Sequence, residues 1–385
     1  MRYYGDDDCD LDAFRRMTSQ TLAAETVPQA SAILRNVPLY DMSVLGANLA
    51  DPAARRALMV EWASVLRDGA GVVVLKRAYP DPGPIDRATE VFRAIIAEER
   101  AGAGGKGDHF AASGANDRVW NALQKHCLRD PAGFALYYGN AAIAAVCEAW
   151  LGPDYQMTAQ VNQVRPGGKA QSAHRDYHLG FQTAEGAARF PGHVHDLTAT
   201  LTLQGGIAHV DMPVASGPTK LLPFSQGYGP GYLAFHRPDF RDWFEDRCVQ
   251  VPLDKGDAVF FSPALFHAAG ENRTSDVHRM VNLLQVSSAF GRAMEAIDRL
   301  AMTRAIYPVL LQMAQAGTLD PASLDAAIAA TAEGYSFPTN LDTDPPLGGL
   351  APESQAALVR RAIRDVLTPA EVDHALAAQA ARRLA

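Results

Sequence analysis

The residues with the most chemical content are His174 and Asp176, within Ala173-His174-Arg175-Asp176-Tyr177-His178, and Phe266-His267 and His278-Arg279 roughly a hundred residues later. In an extended segment residues i and i+2 point to the same face, so His174 and Asp176 can bring an imidazole and a carboxylate to one point. His267 is the candidate third ligand, because it follows Asp257-Ala258-Val259-Phe260-Phe261, an apolar run that reads as a buried strand ending near a turn. Two histidines and one carboxylate on one face of a metal leave three positions open, which suits a non-haem Fe(II) oxygenase. Past His267 the polar stretch 270–276 leads into the strand-like run 280–286, so a hairpin is expected to return Arg279 to the side of His267. A guanidinium there would hold a carboxylate through two parallel charge-assisted hydrogen bonds, as a dicarboxylate cosubstrate requires.

His-x-Asp alone is a weak signal in a chain with eleven histidines, and a lone histidine is more often a hydrogen-bonded core or surface residue. The ordered set of His174, Asp176, His267 and Arg279 is what carries weight. Rival histidines lack such company. His193-Val194-His195 has the His-x-His form of a cupin, but no glutamate follows at the needed distance. His178 would form His-x-x-x-His with His174 on a helix, without the glutamate of a zinc protease. On a strand it would share the inner face of His174 and Asp176 and reach substrate or the groups that support the metal ligands. His278 points away from its neighbour Arg279 and reads as structural.

The elements that must position these groups are short strands. From Tyr155 to Ser288, β-rich runs alternate with turn signals, the pattern of a sandwich or barrel. Gln160 and Asn162 share a face of one strand, as do Thr200, Thr202 and Gln204 if 197–204 is a strand. Before them, 51–67 and 85–99 read as helices around a buried strand near 71–76. The glycine-rich stretch 101–107 lacks the Gly-Lys-Ser/Thr ending of a phosphate loop. It is expected to be a mobile lid, with Asp108-His109-Phe110 and the run from Asn116 through Arg118 and Trp120 to Asn121 closing over substrate. After Arg292 the chain changes character: 294–315, 321–333, 352–367 and 369–384 read as helices.

At 385 residues, 48% hydrophobic and 20% charged, the chain can bury a large core. A net charge of -8 without a Lys/Arg cluster disfavours nucleic acid and favours a small-molecule substrate. Four scattered cysteines without a C-x-x-C pair indicate neither a disulfide scaffold nor a zinc ribbon, and imply a reducing cytoplasm. No window reaches membrane-spanning length.

A longer series of motifs resembles the phytanoyl-CoA dioxygenase family of iron and 2-oxoglutarate dependent oxygenases. It comprises Gln160-Val161-Asn162 leading to Arg165-Pro166-Gly167, His174-Arg175-Asp176, Ser216-Gly217-Pro218-Thr219 with Leu222 to Gln226, Lys255 to Phe261, and His267 through Arg279, in the family's order. The likeness runs from roughly Val72 to Arg292. Departures are a long segment after Asp176, Leu-Pro-Phe-Ser-Gln in place of Pro-Gly-Ser-His, and Gly205-Gly206 within a strand. They bear on the substrate rather than on the metal.

The resemblance implies a mainly β fold with α: a double-stranded β-helix (jelly-roll, cupin-like) core, flanking N-terminal helices and a C-terminal helical extension. The expected division is an oxygenase domain over 1–292, with a helical flank 1–154 and core 155–292, and a helical extension 293–385 packed on it. Fe(II) would be held by His174, Asp176 and His267, and 2-oxoglutarate by Arg279 with Gln160 and Asn162. O2 would complete the set. Oxidative decarboxylation to succinate and CO2 would accompany hydroxylation of a small molecule touched by His178, Arg118, Trp120, Thr202 and Gln204. A monomer or homodimer is expected, free of nucleic acid and membrane. Asp176 stands where a halogenase has a small residue. Two rival readings share the ligands: a metallohydrolase with zinc-bound water and a catalytically silent jelly-roll binding module. Arg279 has no task in the hydrolase, and the intact ligand set argues against the silent module.

Overall fold

The computed structural model describes residues 2–102, 116–337, 340–348 and 350–384. Among the described residues there are ten strands: β1 (Ala32–Leu34), β2 (Val37–Asp41), β3 (Val72–Lys76), β4 (Asn116–Val119), β5 (Gln156–Val164), β6 (Thr202–Ala208), β7 (Lys220–Leu221), β8 (Ala258–Phe261), β9 (His267–Ala268) and β10 (Arg279–Ser287). Eight form one sheet in the order β1-β2-β3-β8-β6-β10-β5-β4, and β7 pairs with β9 in a second. Isolated bridges widen the small sheet: His174 to His267, Leu221 to Val249, and Met212 to Leu253. From β5 onward the chain passes back and forth between the two sheets. Large-sheet strands β5, β6, β8 and β10 alternate with small-sheet segments at His174, at β7 with Val249–Leu253, and at β9. This winding is the double-stranded β-helix, or jelly roll.

Burial explains why these runs are strands. β8 is Ala-Val-Phe-Phe, buried throughout, and β6 is buried at all seven positions. Strands covered on both faces read as continuous apolar runs instead of alternating ones. The glycine at 205 has a packing reason, since a Cβ there would lie 2.5 Å from the Phe260 ring of the adjacent strand.

The outer face of the large sheet is covered by helices, including Pro52–Arg67, Gly83–Gly102, Ala122–Arg129, Pro131–Tyr138 and Ala141–Leu151. Asn282 of β10 donates to the hydroxyls of Tyr137 and Tyr138 at 3.1 and 2.9 Å. The C-terminal helices Arg299–Ala316, Pro321–Thr331, Gln355–Arg364 and Pro369–Arg382 add Met302, Ile306, Leu310 and Leu376 to the same core. Among the described residues, no helix is long and apolar enough to cross a membrane. All four cysteines are free.

Three local expectations are corrected, and a fourth falls partly outside the described residues. Residues 192–200 form a helix, Gly192–Thr200, whose buried face includes His195 and Thr198 three apart, so the strand begins only at Thr202. The helix expected from 294 begins at Arg299, where the Asp298 carboxylate accepts from the Ala301 amide. Strands β1 and β2 were not expected; Arg35 and Asn36, both at positive φ, make the two-residue turn between them. Asp108-His109-Phe110 of the expected lid lies outside the described residues, while Asn116–Val119 is β4, hydrogen-bonded to β5 with Arg118 opposite Asn162.

Two histidines lie buried behind the large sheet. His126 is fully buried without a hydrogen bond to any described residue, ringed by Phe92, Phe134, Tyr137 and Tyr138. His209 contacts Thr89 Oγ1 through Nδ1 and the Tyr137 hydroxyl through Nε2, both at 2.8 Å. Burial pushes His126 down to about 4 and His209 down to about 3, so both are neutral at pH 7. In the unfolded chain they take up protons near pH 6.5. The unfolded state therefore binds more protons once the pH drops below that value, and stability falls as pH goes from 6.5 toward 4. Urea titrations at pH 7 and 4.5 should show a loss on the order of several kcal/mol, reduced in His126→Leu. An equal pH dependence in the variant would show that His126 is not buried in its neutral form.

Candidate active site

His174 and His267 face each other as a hydrogen-bonded pair, each amide donating to the other's carbonyl at 3.0 and 3.1 Å. That pairing sends both imidazoles to one side of the small sheet, with ring centres 4.4 Å apart. The Asp176 amide donates to the Pro263 carbonyl at 3.1 Å, which holds the carboxylate beside them. His267 Nε2 lies 3.3 Å from Asp176 Oδ2, and His174 Nε2 lies 3.8 Å from Oδ1. Among the described residues these three form the one group of metal-ligand type, with ligand atoms within 4.8 Å of one another.

The protonation pattern suits a cation. His174 Nδ1 lies 2.9 Å from the Ser172 carbonyl and His267 Nδ1 lies 2.8 Å from the Leu265 carbonyl. A carbonyl only accepts, so each Nδ1 carries the proton and each Nε2 presents a lone pair. Burial and the neighbouring His267 lower the His174 pKa, which keeps that ring neutral. Burial alone would raise Asp176, but its contact with His267, the neighbouring His174 and a hydrogen bond from Gln204 hold it well below the usual carboxylate range. Two imidazole lone pairs and a carboxylate converge, and a divalent metal satisfies all three.

The triad opens into a cavity of about 580 Å³ between the two sheets. Its walls include Gln160 and Asn162 of β5, Gln204 of β6, Val259 and Phe261 of β8, Arg279, Val281, Leu283 and Gln285 of β10, and Arg118 and Trp120 near the β4 edge. Arg279 is 5% exposed, and burial lowers its pKa to about 10, so it stays charged at neutral pH. Its Nη1 donates to the Ser216 and Gly270 carbonyls at 2.9 and 3.2 Å. No carboxylate of the described residues pairs with it. The carbonyls can approach because Gly217, at φ +75, has no side chain: a Cβ there would lie 2.4 Å from the Glu271 carbonyl oxygen. Arg279 does not reach the cavity by a hairpin, as expected, but from the opposite sheet, where it pairs with Val164.

This buried motif region lies within residues 53–281, which match the family model described as phytanoyl-CoA dioxygenase. The chain belongs to the phytanoyl-CoA dioxygenase family. Iron and 2-oxoglutarate are the cofactor and cosubstrate that go with this membership, and the donor set fits iron. Among curated relatives, the dioxygenase cdmD of Talaromyces verruculosus is 33% identical over 141 residues, covering 35% of this chain and 41% of that protein. The dioxygenase trt7 of Aspergillus terreus is 28% identical over 139 residues, covering 36% and 43%. The chain thus spans about two fifths of the length of these relatives. A solved structure, the non-haem alpha-ketoglutarate dependent epimerase SnoN from nogalamycin biosynthesis, is 23% identical with a TM-score of 0.41, over 62% of this chain and 84% of that one.

Within this family member the other candidates sort by position. Gln160 and Asn162 line the cavity, and Gln160 Oε1 accepts from Arg118 at 2.9 Å. The Arg118 guanidinium lies over the Trp120 ring at 5.3 Å. Gln204 donates to Asp176 Oδ2 at 2.5 Å, a ligand contact that the sequence pattern did not assign. Two expected substrate residues are absent from the cavity walls. Thr202 is buried on β6 away from the lining, and His178 turns off at positive φ to bond Thr198 Oγ1 at 2.6 Å. His195 bonds the Ala187 carbonyl, not the triad. Gln285 was missed: it lines the cavity and accepts from the Tyr177 hydroxyl. Its inward phase on β10, shared with Arg279, was the available signal.

Proposed function

We propose that the chain is an Fe(II)- and 2-oxoglutarate-dependent dioxygenase that hydroxylates a small molecule, with His174, Asp176 and His267 as the iron ligands. The observation that carries this reading is Arg279, a buried cation without a carboxylate partner among the described residues, in the cavity that also holds the triad. A guanidinium in that setting calls for an anion, and the distal carboxylate of 2-oxoglutarate supplies one. Iron bound there would supply oxygen activation coupled to decarboxylation of 2-oxoglutarate to succinate and CO2. The protein's part is positional. The Ser216 and Gly270 carbonyls aim Arg279, the Ser172 and Leu265 carbonyls set the imidazole tautomers, and Gln204 orients the carboxylate. Gln160 and Asn162 contact the cosubstrate or the substrate beside it, and Arg118 and Trp120 form the substrate side. Val259, Phe261, Val281 and Leu283 keep this space dry.

Supplying the purified chain with Fe(II), ascorbate and 2-oxoglutarate should yield succinate in step with iron loading. A metallohydrolase would load zinc and form no succinate, and that result would overturn the reading.

A further inference from the structure

The loop that carries the Asp176 carboxylate is tied to the large sheet at two successive residues. Gln204 donates from Nε2 to Asp176 Oδ2 at 2.5 Å, and the next residue, Tyr177, donates its hydroxyl to Gln285 Oε1. Gln204 and Gln285 are directly opposite across β6 and β10, so their side chains leave one face of the sheet about 5 Å apart. Both line the cavity, at 6% and 8% exposure.

The bond to Asp176 decides which end of the Gln204 amide is left over, and the Gln285 amide as placed turns its oxygen to the Tyr177 hydroxyl. A carboxylate only accepts, so Gln204 must turn its NH2 toward Asp176 and keep Oε1, which is buried and has no partner among the described residues. The Tyr177 hydroxyl occupies Gln285 Oε1 and leaves Gln285 Nε2 without a hydrogen bond to any described residue. A lone acceptor and a lone donor therefore stand side by side in the cavity wall, next to a metal ligand. A buried polar atom such as Gln204 Oε1 is rarely left this way unless a ligand or water meets it, and Gln285 lines the same cavity beside it.

We propose that the Gln204–Gln285 pair is the substrate-recognition subsite, and that it takes an uncharged group which both donates and accepts a hydrogen bond, an alcohol or a lactam, on an otherwise apolar molecule. A single hydroxyl serves both: its proton goes to Gln204 Oε1 and a lone pair receives Gln285 Nε2–H. An anion is disfavoured there by the adjacent Asp176 carboxylate, and Arg279 is already assigned to the cosubstrate. The apolar remainder matches Val259, Phe261, Val281 and Leu283. The inference rests on the oxygenase reading for the placement of the reacting metal.

The test uses the full chain with Zn(II) and excess 2-oxoglutarate, so that nothing turns over, and ligand-observed NMR with four fragments. Cyclohexanol and caprolactam should bind about tenfold tighter than methoxycyclohexane, which accepts but cannot donate, because each neutral hydrogen bond contributes a factor of a few or more. Cyclohexanecarboxylate should show no gain over the ether. Gln204→Met and Gln285→Met, close in volume, should each remove most of the preference. The second leaves the Asp176 bond intact and decides the matter if the first does not fold. Equal affinities across the set, no binding to the parent, or an unchanged preference in the folded variants would overturn the subsite. Succinate release is scored separately: its absence with the preference retained overturns the oxygenase reading alone, and its presence without the preference overturns the subsite alone.

Discussion

His267→Ala should abolish both iron binding and succinate formation, with Asp176→Ala and His174→Ala doing the same. Each removes one of three converging donors, and the remaining two give no complete face for a metal. Loss of metal affinity should exceed about a hundredfold, since even disturbing a group that merely orients a ligand costs 10- to 100-fold. The fold should persist, because His174 and His267 are joined through backbone amides and carbonyls that the substitution leaves in place. Iron stoichiometry by metal analysis and far-UV circular dichroism together check this. A His267→Ala chain that binds iron fully would remove His267 from the ligand set. His193→Ala and His195→Ala serve as controls and should leave iron unchanged.

Arg279→Ala should raise the 2-oxoglutarate concentration for half-maximal succinate release ten- to a hundredfold or more. Hydrogen bonds to charged groups contribute about 1.5 to 3 kcal/mol, and each 1.4 kcal/mol is a factor of about ten. Iron affinity should hold, because Arg279 reaches the cavity from β10 and is not among the three ligands. Arg279→Lys should fall between the two: it retains a charge but loses the planar fork, and its burial also favours the neutral amine. An Ala variant with the parent's 2-oxoglutarate dependence would leave the buried guanidinium without its assigned partner.

Much of the helical frame was legible because its signals are local. Asp51-Pro52 caps and opens the helix Pro52–Arg67, and Thr368-Pro369 does so for Pro369–Arg382. The hairpin of β1 and β2 was not, because Arg35-Asn36 adopts the two positive φ values without the Asn-Gly that usually announces them. Residues 197–200 alternate like a strand yet continue a helix, since their contacts at i and i+3 decide the matter.

At the site, the sequence by itself determined the donor chemistry. His174 and Asp176 stand two apart, and ligand type and spacing are properties of a short segment. It also determined that a cation at 279 belongs to the same ordered set. Only the tertiary structure decided how that set is assembled. Arg279 and the triad come from facing sheets, and the carbonyls that aim the guanidinium sit at Ser216 and Gly270, 63 and 9 residues away. The pairing of Gln204 with Gln285 likewise exists only through the register of β6 on β10. A one-residue slip of β6 would send Gln204 to the face opposite Gln285, and register is set by burial across the whole sheet, not by any local run of residues.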